Sequence, residues 1–516
     1  MIPVLTAAQV READAATIAA QGISSLELME RAATRCAERI LMRHRAGDLG
    51  PPDALAYVVL AGMGNNGGDG LVIARLLHAA GVPVRVVRVR HRAEPSADQA
   101  ANWARLQGLA IPTTDHTGEE PLAFASGEVI IDAILGIGAR GSSTLLRAVA
   151  QAVRQAHRPV IAVDMPSGLP SDPDGPVDPH DVVPATWTIT FEVPKLALLM
   201  PDHAAFTGHW EVISIGLEQA FITTLPTRHH VFQADDAVRL LPGRPRAGHK
   251  GTFGHALVVG GSPGRAGAMV LATRAALRSG AGLVTAHVPE VAVPVLQTRC
   301  PEAMCTFTRH AAVVSDLPAG PWSAVGIGPG LGTHGDSAQV IKRLLQDAPG
   351  PLVIDADGLN ILAENRTWLA FLPPLTILTP HPKEFDRLYG APAATSAERL
   401  ERAREMAVRH NAVVVLKGAF TAVCDPQGGV TFNATGNPGM ARGGSGDALT
   451  GLLTGLLAQG MHPVAAARLG VWLHGLAGDV AAGDLGMDGM TAMDLVEALP
   501  AAWQRLRTHP TERPTA

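Results

Sequence analysis

Cysteine is scarce and scattered. The 516-residue chain has four, at Cys36, Cys300, Cys305 and Cys424, without a C-x-x-C pair, so neither a zinc ribbon nor a disulfide framework is indicated and a reducing cytoplasm fits. An excess of either charge is also missing: 42 Lys plus Arg against 47 Asp plus Glu leaves −5, and charged residues make up only 17% beside 47% hydrophobic ones. That balance excludes a disordered polyelectrolyte, and nothing marks a general nucleic-acid binder. Long apolar runs are absent too. The most apolar stretch, Ala448 to Met461, is interrupted by Thr450, Thr454 and Gln459, and Arg11, Glu12 and Asp14 precede any signal-like run, so a soluble chain without export signal or membrane span is expected. What is abundant is glycine (55) and proline (39), the mark of a turn-rich globular chain, and the length suits two to four domains at roughly 150 residues each.

Short β-branched runs end in glycines or carboxylates and lead into amphipathic stretches, the signature of α/β layering on a largely parallel sheet. In the first half, Ala56 to Leu60 leads into GMGNNGGDG (Gly62 to Gly70) with a helix from Leu71; Val129 to Leu135 leads into GIGARG, and Val160 to Val163 into DMPSG (Asp164 to Gly168). The pattern lapses from Gly216 to Gly251, which places a boundary near residue 225, with domains over 1–225 and 226–516. The second half restarts it, with Ala256 to Val259 before GGSPGRAG, Ala324 to Ile327 before GPGLG, Leu352 to Ile354 before Asp355 to Gly358, Leu375 to Leu378 before TPHPKE and Val413 to Leu416 before Lys417 and Gly418. Both halves thus carry loops at the carboxyl ends of strands, where open α/β sheets bind ligands.

Gly62, Gly64 and Gly67 fit the dinucleotide fingerprint, but the next strand ends in Arg90, His91 and Arg92 without a ribose-binding acid, and Asn65, Asn66 and Asp69 crowd the turn. Asn66, Asp132 and Ser167, from three strand-end loops, can surround a cation with hard oxygens; alternatively the asparagines occupy positive-φ turn positions and Asp132 caps a helix. Asp164, set before Pro166 and Gly168, is a candidate general base. These segments, with LMERAA (Leu28 to Ala33), resemble the epimerase domain of the NAD(P)H-hydrate repair enzymes. The resemblance implies a Rossmann-like three-layer domain in which Asn65, Asn66, Gly67, Gly68, Asp69, Gly136, Ile137, Gly138, Ala139, Arg140, Gly141, Ser142 and Asp164 contact substrate. It further implies that Asn66, Asp132 and Ser167 bind potassium. Ala33 stands where that family often has glycine.

In the second half, Gly443, Gly444 and Gly446 open an apolar helix with Asp447 in its first turn, so bare amides face an anion beside a carboxylate able to take a hydroxyl proton; simple complementation of the helix dipole is the alternative. The NPG turn at Asn437 to Gly439 exceeds what capping requires. KGTFGHALVVGGSPGRAGA, GPGLG, DADGLNIL, TPHPKEF, LKGAFTAV and GNPGMARGGSGDALTG resemble the NAD(P)H-hydrate dehydratase domain, which implies a ribokinase-like α/β fold. By that resemblance ADP is the phosphate donor, with magnesium neutralising its charge. Asp447 is the base, Lys417, Gly418, Ala419, Phe420, Thr421 and Gly446 bind the nucleotide, and Ala268, Gly330, His381 and Asp447 contact the hydrate. Arg442, Lys383 and Gly358 depart from the family's usual residues; Arg442 either adds a phosphate contact or crowds the nucleotide. His229 and His230 read as solvent-facing linker residues, and Trp472 and His474 as helix packing.

The resemblance implies a bifunctional repair enzyme that interconverts the R and S hydrates of NADH and NADPH and dehydrates the S form, acting on small molecules without nucleic acid or membrane; Ala-rich helices and low charge favour a homo-oligomer. The rivals are a ribokinase-like small-molecule kinase that releases a stable phosphorylated product, and a nucleotide-binding sensor without turnover.

Overall fold

Strand residues of both parities are apolar along Ala56–Ala61 and Glu128–Ala133, a pattern that only a sheet covered on both faces can bury. The computed structural model describes residues 1–138 and 143–509, and the chain divides into two compact units between Thr227 and Arg228. Among the described residues no helix is long and apolar enough to cross a membrane.

The N-terminal unit is built on strands β1 (Ala56–Ala61), β2 (Val84–Val89), β3 (Thr113–His116), β4 (Glu128–Ala133), β5 (Val160–Val163), β6 (Trp187–Phe191) and β7 (His209–Ile213). They lie in the order β3-β2-β1-β4-β5-β6-β7, every neighbouring pair parallel. Tyr57, Val59, Val129 and Ile131 point to the side of helices α1 (Ala7–Gln21), α2 (Ser25–Ala46) and α3 (Asn65–Ala79). Val58, Leu60 and Ile130 pack on the opposite side with Leu146, Val149 and Val153 of α4 (Thr144–Ala156). This is the expected three-layer arrangement. Because the chain steps from β1 outward to β2 and β3 and then returns to place β4 on the other side of β1, the connections diverge between β1 and β4 and leave a crevice at their carboxyl ends.

From Arg228 onward the strands are β8 (His229–Phe232), β9 (His255–Val259), β10 (Leu283–Val288), β11 (Met304–Phe307), β12 (Ala324–Ile327), β13 (Leu352–Ile354), β14 (Ile377–Leu378), β15 (Val413–Leu416), β16 (Ala422–Cys424) and β17 (Val430–Asn433). Their order is β8-β17-β16-β15-β14-β13-β12-β9-β10-β11, parallel except where β16 meets β15 and β17. The same divergence occurs between β9 and β12. His229 and His230 are therefore half-buried residues of a strand paired with β17, which corrects their reading as a solvent-facing linker. The apparent lapse in that region held a short strand and a helix (Ala234–Arg239) too brief to show a period.

The helix that follows the second glycine cluster, α8 (Ser445–Ala458), is buried along most of its length, which explains why it reads as almost wholly apolar. It packs closely on α5 (Ala266–Arg278): a Cβ at Gly451 would sit 1.8 Å from the Ala272 carbonyl oxygen, and one at Gly455 would sit 1.9 Å from Ser279 Oγ. Glycine at i and i+4 thus sets the depth of the helix that bears Asp447. Gly451→Ala is expected to cost about 1–3 kcal/mol through forced separation of the two helices. Gly483→Ala, in a helix where nothing lies within 4 Å of the added carbon, should be neutral or stabilising by up to about 1 kcal/mol. Urea unfolding of the two variants measures both, and equal effects would contradict the packing account.

Candidate active sites

At the N-terminal crevice, α3 begins at Asn65 and not at Leu71, so NNGGD forms the first helical turns instead of a loop. Neither Asn65 nor Asn66 has positive φ, and Asp132 lies within β4 without capping a helix, so both conformational alternatives for these residues are excluded. Gly67 is required because a Cβ there would fall 1.9 Å from the Gly62 carbonyl oxygen as the chain doubles back into the helix. Gly64, the N-cap, offers no side chain, which leaves the first amides open to an anion, a favourable term of roughly 0.3–2 kcal/mol from the dipole.

Asp132 is fully buried and accepts hydrogen bonds from Ser167 N at 2.7 Å, Ser167 Oγ at 2.5 Å and Ile134 N at 3.3 Å. Burial raises its carboxyl to about 6 against the pull of those donors. Ser167 Oγ also accepts from Leu135 N at 2.9 Å, and Asn66 abuts the same turn, 3.3 Å from where a Cβ on Gly136 would lie. Asn66, Asp132 and Ser167 thus share one turn, and the buried Asn66 Nδ2 has no hydrogen-bond partner among the described residues.

Asp164 adopts φ 65°, an uncommon conformation for a non-glycine residue, and is 7% exposed. Its Oδ1 accepts from Lys195 Nζ at 2.7 Å, Thr190 Oγ1 at 3.1 Å and Phe191 N at 3.2 Å, while no donor to Oδ2 occurs among the described residues. Lys195 is wholly buried and also donates to Thr190 Oγ1 and the Phe191 carbonyl, both at 2.8 Å. Two further carboxyls face this pair. Burial and then the nearby Asp164 push Asp14 up to about 6, and burial with Asp164 and Asp14 pushes Asp69 well above the usual carboxylate range. Sequence reasoning missed Lys195 and gave Asp14 no site role. The signal for Lys195 was that it is the only lysine ahead of Lys250, set in the apolar EVPKLALL. Ile137 and Gly138 follow in the neighbouring loop; Ala139, Arg140, Gly141 and Ser142 lie outside the described residues.

The C-terminal crevice is assembled the same way. Gly261 N donates to the Pro329 carbonyl at 2.9 Å, joining the loops after β9 and β12, and Gly330 lies against Ala268 in the first turn of α5. Asp355, 1% exposed at the start of α6 (Ala356–Glu364), accepts from Lys417 Nζ at 2.9 Å and Thr450 Oγ1 at 2.7 Å. Lys417 Nζ also lies 3.7 Å from Glu384 Oε2. Burial would lower the Lys417 ammonium, but Asp355 and Glu384 outweigh it and hold it above its ordinary value. Gly446 is glycine where a Cβ would approach Lys417 Nζ to 3.2 Å.

Asp447 follows, in the first turn of α8, whose N-cap Gly444 likewise offers no side chain. Burial, then the negative field of Asp355, raises Asp447 to about 7, with Lys417 opposing. His381 caps α7 (Pro382–Tyr389) by accepting from Lys383 N at 3.1 Å and Glu384 N at 3.2 Å through Nδ1, which places the proton of the neutral ring on Nε2. Lys417 to Thr421 form an open loop closed by Gly418 N donating to Thr421 Oγ1 at 3.2 Å, with Gly418 and Ala419 exposed and Phe420 half-buried. The NPG turn hangs from Asp479, which accepts from Gly436 N and Asn437 Nδ2, each at 2.9 Å.

The Arg442 guanidinium donates to the Met487 and Asp488 carbonyls and pins a neighbouring loop. A side chain at Gly358 would meet Ile354 Cγ2 at 2.8 Å, so packing accounts for that departure, and Lys383 is exposed, with its amide engaged by His381. Trp472 packs edge-on against Phe232, and His474, driven down to about 4 by burial, bonds the Ser445 carbonyl at 2.8 Å. Asp355, Glu384 and Thr450 went unassigned from sequence, although the first two stand inside the DADGLN and TPHPKE motifs.

Two α/β units, each with an uncapped helix start and a carboxyl raised by burial in a strand-end crevice, have the features that suit acid–base chemistry beside an anion. Residues 25–197 match the family model described as the YjeF-related protein N-terminus, and residues 256–501 match that described as NAD(P)H-hydrate dehydratase. The bifunctional NAD(P)H-hydrate repair enzyme Nnr of Moorella thermoacetica is 39% identical, covering 97% of each chain. That of Coxiella burnetii is 37% identical over 94% of this chain and 96% of its own. The ADP/ATP-dependent NAD(P)H-hydrate dehydratase of Bacillus subtilis, solved with ATP and Mg2+, aligns at 31% identity over 54% of this chain and 98% of its own, with a TM-score of 0.48. The chain belongs to the family of bifunctional NAD(P)H-hydrate repair enzymes.

Breaking the buried Lys195–Asp164 pair from one side leaves a carboxylate uncompensated. Lys195→Met should therefore lower the stability of the N-terminal unit by about 3–5 kcal/mol in urea unfolding, and a change below about 1 kcal/mol would contradict this account.

Proposed function

We propose that the chain repairs hydrated NADH and NADPH in two steps, epimerising the R and S hydrates at the N-terminal crevice, within 1–225, and dehydrating the S form at the C-terminal crevice, within 226–516. The observation that carries the reading is Asp447: a half-buried carboxyl held near pH 7, one turn into a helix whose open amides await an anion, with Lys417 alongside. Asp447 takes the proton of the hydrate's hydroxyl as that oxygen attacks the terminal phosphorus of ADP. The diphosphate bridge breaks and AMP leaves. Loss of phosphate from carbon, with a proton from the adjacent carbon, then restores the ring double bond. Gly446 and Lys417 to Thr421 hold the nucleotide, and Ala268, Gly330 and His381 hold the hydrate. Magnesium would neutralise the charge of the diphosphate.

In the N-terminal crevice Asp164 is the base, with Oδ1 occupied and Oδ2 left to substrate. Asn65 to Asp69 and the loop opening at Gly136 would hold the nucleotide. Asn66, Asp132 and Ser167 suit potassium, since one carboxylate among neutral side-chain oxygens that share one turn matches a singly charged ion. Four unpaired cysteines support a cytoplasmic setting, and we propose a homo-oligomer from the Ala-rich, weakly charged composition.

Incubating the purified chain with hydrated NADH and magnesium should restore the near-ultraviolet absorbance only when ADP is supplied, with one AMP and one phosphate per NADH. A stable phosphorylated product would favour the kinase instead. Asp447→Asn should keep nucleotide binding while dehydration falls by about 100-fold or more. A base must be ionised, so wild-type kcat/KM for dehydration should rise with pH through about 7 and then level, and a profile flat from pH 5 to 9 would remove Asp447 from the role. Exchange of potassium for sodium should slow epimerisation and lower the melting temperature, and indifference to the ion would remove the cation site.

A further inference from the structure

We propose that Asp14 is the general acid of the N-terminal site, delivering a proton to the hydroxyl of the hydrated ring while Asp164 serves as its base. The inference rests on the epimerase reading above and adds to it a residue from outside the strand-end loops.

The argument starts from how α1 is held. Its first amide, Ala7 N, donates to Asp172 at 3.1 Å, on the segment that continues from Asp164 through Ser167. Its far end is fastened where Glu218 N donates to Thr17 Oγ1 at 2.9 Å, and Val10, Ala13 and Thr17 form its buried face. One turn in, Arg11 extends over the substrate-side loop, its Nη1 only 3.0 Å from where a Cβ on Gly138 would stand. Asp14 follows three residues later, so it projects along the same face of the helix as Arg11. The helix therefore walls the crevice, with Arg11 against one loop and the half-buried Asp14 within the electrostatic field of the Asp164–Lys195 pair.

The charged groups facing Asp14 are Arg11 on its own helix, Asp69 on α3, Asp164 after β5 and Lys195 after β6. Lys195 is already committed to Asp164, so a second carboxylate beside that pair gains little from it. Burial and the proximity of Asp164 accordingly favour the protonated form of Asp14. Asp69 is displaced in the same direction, by burial first and then by Asp164 and Asp14. Two carboxyls in one crevice, one hydrogen-bonded to a buried lysine and the other without that partner, are what paired acid and base work requires.

The hydrate's hydroxyl sits on the ring carbon bonded to nitrogen. Asp14 gives its proton to that oxygen, the carbon–oxygen bond breaks, and its electron pair leaves with water while the nitrogen lone pair forms a carbon–nitrogen double bond. Water then adds to the opposite face, the double-bond pair returns to nitrogen, and Asp164 takes the surplus proton. Transfer of that proton from Asp164 to Asp14 resets the site, so water and protons balance over the cycle.

The test uses the full-length chain and the separated R hydrate of NADH, following appearance of S by chromatography with the spontaneous rate subtracted. Asp14→Asn should lower epimerisation kcat by about 100-fold or more with KM changed less than about threefold, while ADP-dependent dehydration of the S hydrate is unaffected. Because Asp14 acts in its protonated form, wild-type kcat/KM should fall as pH rises through about 6, a limb that Asp14→Glu retains with partial activity and Asp14→Asn lacks. Activity within threefold of wild type in Asp14→Asn overturns the inference while leaving the epimerase reading intact. If that variant fails to fold, a wild-type profile without the descending limb overturns it equally. A wild-type chain that does not accelerate interconversion removes the epimerase reading and this inference together.

Discussion

A parallel sheet whose connections diverge about one strand leaves a crevice that no loop fills, and in this chain that happens twice, between β1 and β4 and between β9 and β12. The glycine-dense segments fall at these points because two strand-end loops must approach there at backbone distance: Gly62 N donates to the Ala133 carbonyl at 3.0 Å and Gly261 N to the Pro329 carbonyl at 2.9 Å. Helices that start at the crevices begin on Gly64 and Gly444, which provide no capping side chain, whereas α1, α2 and α7 carry reciprocal capping boxes. Capping by a neighbouring side chain and capping by a ligand compete for the same amides, so a glycine N-cap leaves those amides free for an anion.

Burial then does the electrostatic work. Each crevice contains more carboxyls than cations, Asp14, Asp69 and Asp164 around Lys195 in one and Asp355, Glu384 and Asp447 around Lys417 in the other. In both, the lysine donates to one carboxylate, Asp164 or Asp355, and a second carboxyl, Asp14 or Asp447, is displaced toward neutrality by burial. A fully matched set of charges would leave every carboxyl ionised and poorly suited to hold a proton near pH 7. The deficit of cations therefore suits both crevices to acid–base work.

Much of this was legible in the sequence, for reasons that differ by residue. Strands buried on both faces announce themselves as unbroken apolar runs, and glycines required by close approach cannot be replaced without collision, so the layers and the loops at Gly62, Gly330 and Gly446 could be read directly. Asp447 was legible because its motif is contiguous. Asp14 and Lys195 were not, since they stand 150 and 31 residues from Asp164 and only the folding of α1 and the β6 exit brings them to it. The pair His229 and His230 misled because strand β8 is four residues long, too short for alternation to register.

The position of Asp447 illustrates how a distant packing constraint reaches the chemistry. Its carboxyl is set by α8, and α8 is set by Gly451 and Gly455 against α5 and by Gly326 of β12, where a Cβ would fall 2.1 Å from Thr454 Oγ1. The next helical turn supplies Thr450, which donates to Asp355 at 2.7 Å and so ties the helix to the carboxylate that raises Asp447. Rotating or lifting α8 would move the open amides, the Asp447 carboxyl and the Thr450–Asp355 bond together. Selection on the apolar seam is thus selection on the electrostatic setting of the Asp447 carboxyl, which accounts for a helix so rich in glycine at the cost of intrinsic helix propensity.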